Sequence, residues 1–184
     1  MKIVSIDIGL KNFAIVMEEN SKILFMESFD LTSIPMNEHT YEEKYHTIYA
    51  MNAILENIKD KWIDSDFILI EQQGVFGNIA REYNLQTIKL QYQCIQYFIY
   101  MKYTQQATYT LDCVPSRLKT TIFKMDNSKK NTKYNRKQWS IEKVTDLLKD
   151  DVVILNKIKS MKKKDDVCDA YLQLQAYKIQ HELK

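Results

Sequence analysis

The chain opens on the apolar run "KIVSIDIG", which is short, rich in β-branched residues and closed by Gly9. Those features predict a buried strand. "FAIVME" and "KILFMESF" follow, divided by a polar break at 19–21, and predict an antiparallel meander. From Tyr41 to Lys61 the apolar positions Tyr45, Ile48, Tyr49, Leu55 and Ile58 recur at helical spacing, with Trp62 just beyond. "DFILIEQQG" reads as a second buried strand, ending in Glu71 shortly before Gly74. A long helix is expected from about Asn78 to Tyr103. Its second half is apolar on nearly every side, through Tyr92, Cys94, Ile95, Tyr97, Phe98, Ile99, Tyr100 and Met101. Such a helix is expected to be buried on every face, in part against a second subunit. "ATYTLDCV" predicts a third buried strand, closed by Pro115, and "QWSIEKVTDLLKD" returns to helical spacing. A last helix, from about Lys164 to His181, carries Val167, Ala170, Tyr171, Leu174 and Tyr177 on one side. Strands and helices in this order predict an α/β layer fold with helices on both sheet faces.

Composition narrows this picture. A length of 184 residues favours one domain spanning 1–184. The net charge is only +2, so contact with nucleic acid must rest on where charges lie. Cys94, Cys113 and Cys168 are odd in number and match no zinc spacing. Reduced thiols in a cytosolic or nuclear setting are expected. Asp7 interrupts the apolar start where a signal peptide would need apolar residues. No apolar run approaches the roughly 18 residues of a membrane helix. The expected location is therefore the cytoplasm.

Basic residues concentrate in two places. Residues 115–137 hold Arg117, Lys119, Lys124, Lys129, Lys130, Lys133, Arg136 and Lys137, against the single acid Asp126. The stretch from about 124 to 137 is polar and unpatterned, so a mobile basic loop is expected there. A second basic stretch, "NKIKSMKKK", runs into Lys162, Lys163 and Lys164.

The acids supply the candidate chemistry. Asp7 and Glu71 each end a predicted buried strand. Sites in α/β sheets form beyond the strand C-termini. On parallel neighbouring strands these carboxylates would repel unless a cation lay between them. Asp169 can share a helix face with Asp166 or with Asp165. Oxygen ligands without a histidine or thiol cluster suit Mg²⁺ or Mn²⁺ better than Zn²⁺. Such a site has room for two ions acting on a phosphodiester. The basic stretches would hold the polyanion against it. Each feature alone has a plainer reading, as a turn cap, a helix cap or a solvated loop. Their joint order along the chain favours a site.

"DIGLKN", "IEQQ" and "DDVCDA" resemble the Holliday junction resolvases of the RuvC-like, RNase H-like superfamily, and most of all its poxvirus branch. The resemblance implies a five-stranded mixed sheet flanked by helices, acting as a homodimer through the long helix. It implies a metal-binding tetrad of Asp7, Glu71, Asp166 and Asp169, selecting Asp166 over Asp165. It implies two Mg²⁺ ions per site, with Mn²⁺ as substitute. Lys119, and after it Lys137, would lie near the scissile phosphate, and Phe76 would wedge at the junction centre. The implied activity is paired symmetric nicking of four-way DNA junctions, in an infected cell if the source is viral. Alternatives are another nuclease of the same fold, acting on RNA–DNA hybrids or RNA, an actin-like ATPase and a non-catalytic DNA-binding module. The ATPase needs glycine-rich phosphate turns, and the chain has only Gly9, Gly74 and Gly77.

Overall fold

A computed structural model describes residues 1–35, 42–74, 81–126 and 132–183. The β-branched opening forms strand β1 (Lys2–Asp7), paired antiparallel with β2 (Phe13–Glu19). A tight turn then leads into β3 (Lys22–Phe29), antiparallel to β2. Asn20 and Ser21 both take left-handed φ values, 49° and 64°. This is the geometry of a two-residue hairpin, whose twist matches that of its strands. Strand β4 (Phe67–Gln72) lies parallel to β1, and β5 (Thr110–Pro115) lies parallel to β4. The sheet is five-stranded and mixed, in the order β3-β2-β1-β4-β5.

Alternation along the central strands divides the interior into two cores. Val4, Ile6, Ile68 and Ile70 face one core. There they meet helices α1 (His46–Asn57), α2 (Lys59–Trp62) and α3 (Arg81–Gln105). Trp62, Phe98 and Tyr109 are fully buried at its centre. The Trp62 and Phe98 rings meet edge-on with centroids 5.0 Å apart, and Trp62 Nε1 donates to the Leu55 carbonyl at 2.8 Å. Ile3, Leu69 and Val114 face the opposite core. Beyond β5 the chain makes the short helix α4 (Leu118–Ile122), then α5 (Lys133–Leu147), α6 (Val152–Ser160) and α7 (Lys164–Gln180). Helix α7 fills this second core with Val167, Cys168, Leu172 and Leu174. Its Gln173 donates to the Ser5 hydroxyl at 3.1 Å, satisfying a polar group buried on β1.

Two expectations change. Helix α3 is not buried on every face within one chain. Leu90, Cys94, Phe98 and Met101 form its inner stripe, whereas Tyr92, Ile99, Tyr100 and Tyr103 are exposed. Aromatic and aliphatic side chains therefore cover more of its circumference than the sheet can accept. Of the stretch expected as a basic loop over 124–137, residues 127–131 lie outside the described residues, and from Lys133 onward the chain is helical, where α5 begins. The Thr132 hydroxyl caps it, accepting from the Asn135 amide at 3.1 Å. Arg136 and Lys137 thus stand on a helix. The three cysteines are free thiols. Among the described residues no helix is long and apolar enough to cross a membrane.

Truncating Trp62 to alanine should cost about 3–5 kcal/mol, measured by urea denaturation, because it empties the meeting point of α1, α2 and α3. A loss below about 1 kcal/mol would contradict this packing.

Candidate active site

The site follows from strand parity. In the β1–β4 ladder Ile6 stands opposite Ile70, so the next residues, Asp7 and Glu71, lie side by side. Both have the parity of Ile3 and Leu69, hence they face the core that α7 fills. The two carboxyl groups are close enough for each to perturb the other's ionisation. Beyond Asp7 the chain turns back sharply through Gly9. A Cβ at Gly9 would stand 2.9 Å from the Asn12 carbonyl oxygen, so the turn admits only glycine without a shift.

Helix α7 brings two more acids. Asp169 Oδ1 accepts from the Ser140 hydroxyl of α5 at 2.6 Å. Asp166 Oδ1 accepts from Asn12 Nδ2 at 3.0 Å, while its Oδ2 is buried and has no hydrogen-bond partner. Lys119 of α4 reaches into the middle. Its Nζ lies 3.3 Å from Glu71 Oε1 and 3.2 Å from Asp169 Oδ1. Lys137 of α5 pairs with Asp165 and stands 3.9 Å from Asp166. Gln73 Nε2 donates to Glu71 Oε2 at 3.2 Å, and the Gln73 amide in turn donates to Gln91 of α3 at 2.9 Å.

Charge is distributed unevenly. Burial, then the adjacent Glu71 charge, holds the Asp7 carboxyl well above the usual carboxylate range. Burial also works against the Glu71 charge. Lys119 and the hydrogen bonds from Asp7, Lys119 and Gln73 outweigh it, leaving Glu71 below its ordinary value. Burial opposes the Lys119 charge too, yet Glu71, Asp169 and Asp7 together raise its pKa. Burial and the neighbouring Asp165 push Asp166 up to about 6.

The donor set suits a hard divalent cation: it is all oxygen, largely buried, and one buried Asp166 oxygen lacks a donor. As they stand, the described residues contain no group of three or more acidic, histidine or cysteine side chains able to hold a metal ion. The Lys119 ammonium lies between Glu71 and Asp169 instead.

Above these acids opens a cleft of about 350 Å³, lined by Glu71, Asp169, Arg117, Lys119, Arg136 and Lys137. Arg117 and Arg136 are exposed at its edge. Lys162 and Lys163 lie elsewhere, in a second cavity of about 310 Å³ with Lys11. Lys163 binds the Lys11 carbonyl and Asn12 Oδ1, so it braces the turn that follows β1. Lys164 opens α7 and Lys133 opens α5. Phe76, Lys129 and Lys130 fall outside the described residues.

Asn12, Ser140 and Gln73 were not read as site residues in the sequence. Each is a neutral side chain that holds a carboxylate. Ser140 could have been found from spacing, since it lies one helical turn beyond Arg136 and shares its face. Asn12 and Gln73 carry no periodic signal. Their role depends on where a turn and a strand end bring them.

The five-stranded mixed sheet flanked by helices is a RuvC-like, RNase H-like fold. The chain resembles RuvC of Thermus thermophilus over 98% of its own length and 97% of that chain, with a TM-score of 0.55 and 10% identity. The yeast mitochondrial Holliday junction resolvase Ydc2 matches 98% of this chain and 82% of its own, with a TM-score of 0.61 and 16% identity. Thermus thermophilus RuvC in complex with a Holliday junction substrate also matches, with a TM-score of 0.54 over 98% of this chain and 96% of that one, at 9% identity. Among curated sequences, the uncharacterized protein 170L of Invertebrate iridescent virus 6 is 26% identical, over 96% of this chain and 88% of its own length. No protein-family model matches the chain.

The raised Asp166 carboxyl makes a pH prediction. Its value in the fold, about 6, exceeds the ordinary 3.8, so folding disfavours its charged form. Its effect on stability is most favourable below the ordinary value and worsens as pH rises through about 6. In chelator-treated protein, Asp166→Asn should raise the melting temperature at pH 8 and leave it unchanged near pH 4. Equal effects at both pH values would contradict a buried, unfavourably placed charge.

Proposed function

We propose that this protein is a metal-dependent Holliday junction resolvase, a structure-specific endonuclease that makes paired symmetric nicks in four-way DNA junctions. The observation that carries this reading is the meeting of Asp7, Glu71 and Asp169 beneath a basic cleft, on a RuvC-like fold. Asp7, Glu71, Asp166 and Asp169 would hold two Mg²⁺ ions, or Mn²⁺ in their place. Such ions supply Lewis-acid stabilisation and an activated water for in-line displacement at phosphorus. Arg117 and Arg136 receive the DNA backbone at the cleft edge, and Lys119 and Lys137 neutralise the phosphate nearest the acids. Lys129, Lys130 and Lys133, with Lys162, Lys163 and Lys164, extend this contact along the junction arms. Ser140, Asn12 and Gln73 fix the carboxylates that hold the ions. Phe76 follows the strand that carries Glu71 and wedges at the junction centre. The setting we infer is viral, in the cytoplasm of an infected cell.

A four-way junction is two-fold symmetric, so paired nicks call for two copies of the site in a C₂ dimer. The outer face of α3 suits that contact. Leu85, Ile88, Tyr92 and Ile99 follow the alternating spacings of three and four that make the seam of paired helices, with Ile95 at the edge packed against the chain's own core. Leu85, Tyr92 and Ile99 are at least half exposed in the single chain.

Purified protein with Mg²⁺ should cut a four-way junction symmetrically and leave a linear duplex and an RNA–DNA hybrid intact. Cleavage confined to the hybrid would move the function to another nuclease of this fold. Asp7→Asn or Glu71→Gln should lower junction cleavage at least a hundredfold while junction binding, followed by fluorescence anisotropy, is retained. Binding and folding lost together would make those carboxylates structural.

The double variant Tyr92→Glu with Ile99→Glu should sediment as a monomer and give single, uncoupled nicks. A variant that stays dimeric would place the interface elsewhere. Phe98 is unsuited to this test, because it lies in the chain's own core.

A further inference from the structure

Lys119 holds an unusual place for a residue of a DNA-facing cleft. Its side chain is only 11% exposed, and its ammonium bridges acids from two different elements, Glu71 of β4 and Asp169 of α7. Glu71 stands in turn beside Asp7 on the neighbouring strand. The lysine ammonium thus stands between the carboxylates of β4 and α7. A divalent ion takes carboxylate oxygens at about 2.0–2.1 Å for Mg²⁺. An ammonium already seated on Glu71 Oε1 and Asp169 Oδ1 opposes a dication at the same oxygens, because the two cations repel one another.

Lys119 also has somewhere to go. It lines the open cleft, with Thr120 on the same short helix and Arg117 immediately before it. Its flexible four-carbon stem joins a short helix beside the cleft to an ammonium held by the acids.

We propose that Lys119 is a resident counter-cation that closes the acidic centre, and that a divalent ion loads only by displacing it into the cleft. The inference rests on the reading of these carboxylates as metal ligands. It adds that the centre is neutralised from within before any ion arrives, and that ion entry itself presents an ammonium to a phosphate in the cleft. Metal affinity is then set partly by the lysine. By linkage, whatever anion draws Lys119 upward tightens metal binding by the same factor that metal tightens anion binding.

The direct test is calorimetric titration of Mn²⁺ into the full-length protein without DNA. Lys119→Met should bind Mn²⁺ at least tenfold more tightly than the unaltered protein. Unchanged or weaker affinity in the variant, with binding still measurable, overturns the counter-cation and leaves the ligand reading intact. Absence of Mn²⁺ binding in both proteins overturns the two together. A second measurement needs no variant. Acetic anhydride labelling followed by mass spectrometry should find Lys119 protected in metal-free protein and labelled several-fold faster with saturating Mg²⁺. Lys2, buried beside Asp64 at the far end of β1, should not change. Equal protection of Lys119 with and without Mg²⁺ overturns the inference, even if Lys119→Met fails to fold.

Discussion

The parallel pairing of β1 with β4 is the constraint on which the rest of the molecule depends. It sets Asp7 beside Glu71 on the inner face of the sheet. Two like charges about 4 Å apart repel by roughly 4 kcal/mol at an effective dielectric of about 20. Three responses to that repulsion are visible. The Asp7 carboxyl is held well above the usual carboxylate range, Lys119 supplies a positive charge, and Gln73 donates to the remaining Glu71 oxygen. None of these groups contributes much to the apolar core. They make an acidic centre tolerable inside it.

The two cores divide the work. The aromatic core around Trp62 anchors α3 and carries no candidate chemistry. The opposite core is where α5 and α7 deliver Ser140, Asp166 and Asp169 to the strand ends. Gln91 links the two sides, since it stands on α3 and holds the amide of Gln73, which holds Glu71. The helix proposed to pair two subunits is therefore bonded to the site that pairing would duplicate.

Much of this was legible in the sequence because it depends on period and position. Strands with β-branched runs, a carboxylate at each strand end and an apolar stripe on the last helix can be read without coordinates. The layer order follows from them, whereas the placing of Asp7 beside Glu71 needed the parallel pairing of β1 with β4 that only the structure supplies. Other parts depend on contacts between distant segments. The bridge from Lys119 to Asp169 joins residues from two helices and has no local signature. The start of α5 was obscured because the lysine and asparagine of 133–137 continue a polar, unpatterned run, whereas a single Thr132 cap suffices to begin a helix. Burial of α3 was overread, since hydropathy cannot tell a face covered by its own sheet from one left for another chain.

A crystal of the protein soaked in Mn²⁺, with anomalous scattering used to locate the ion, tests the central claim most directly. The account predicts an anomalous peak bounded by Asp7 and Glu71, within reach of the α7 acids, with Lys119 turned away from Glu71 into the cleft. A soaked crystal with no peak there, and Lys119 still bridging Glu71 and Asp169, would contradict it.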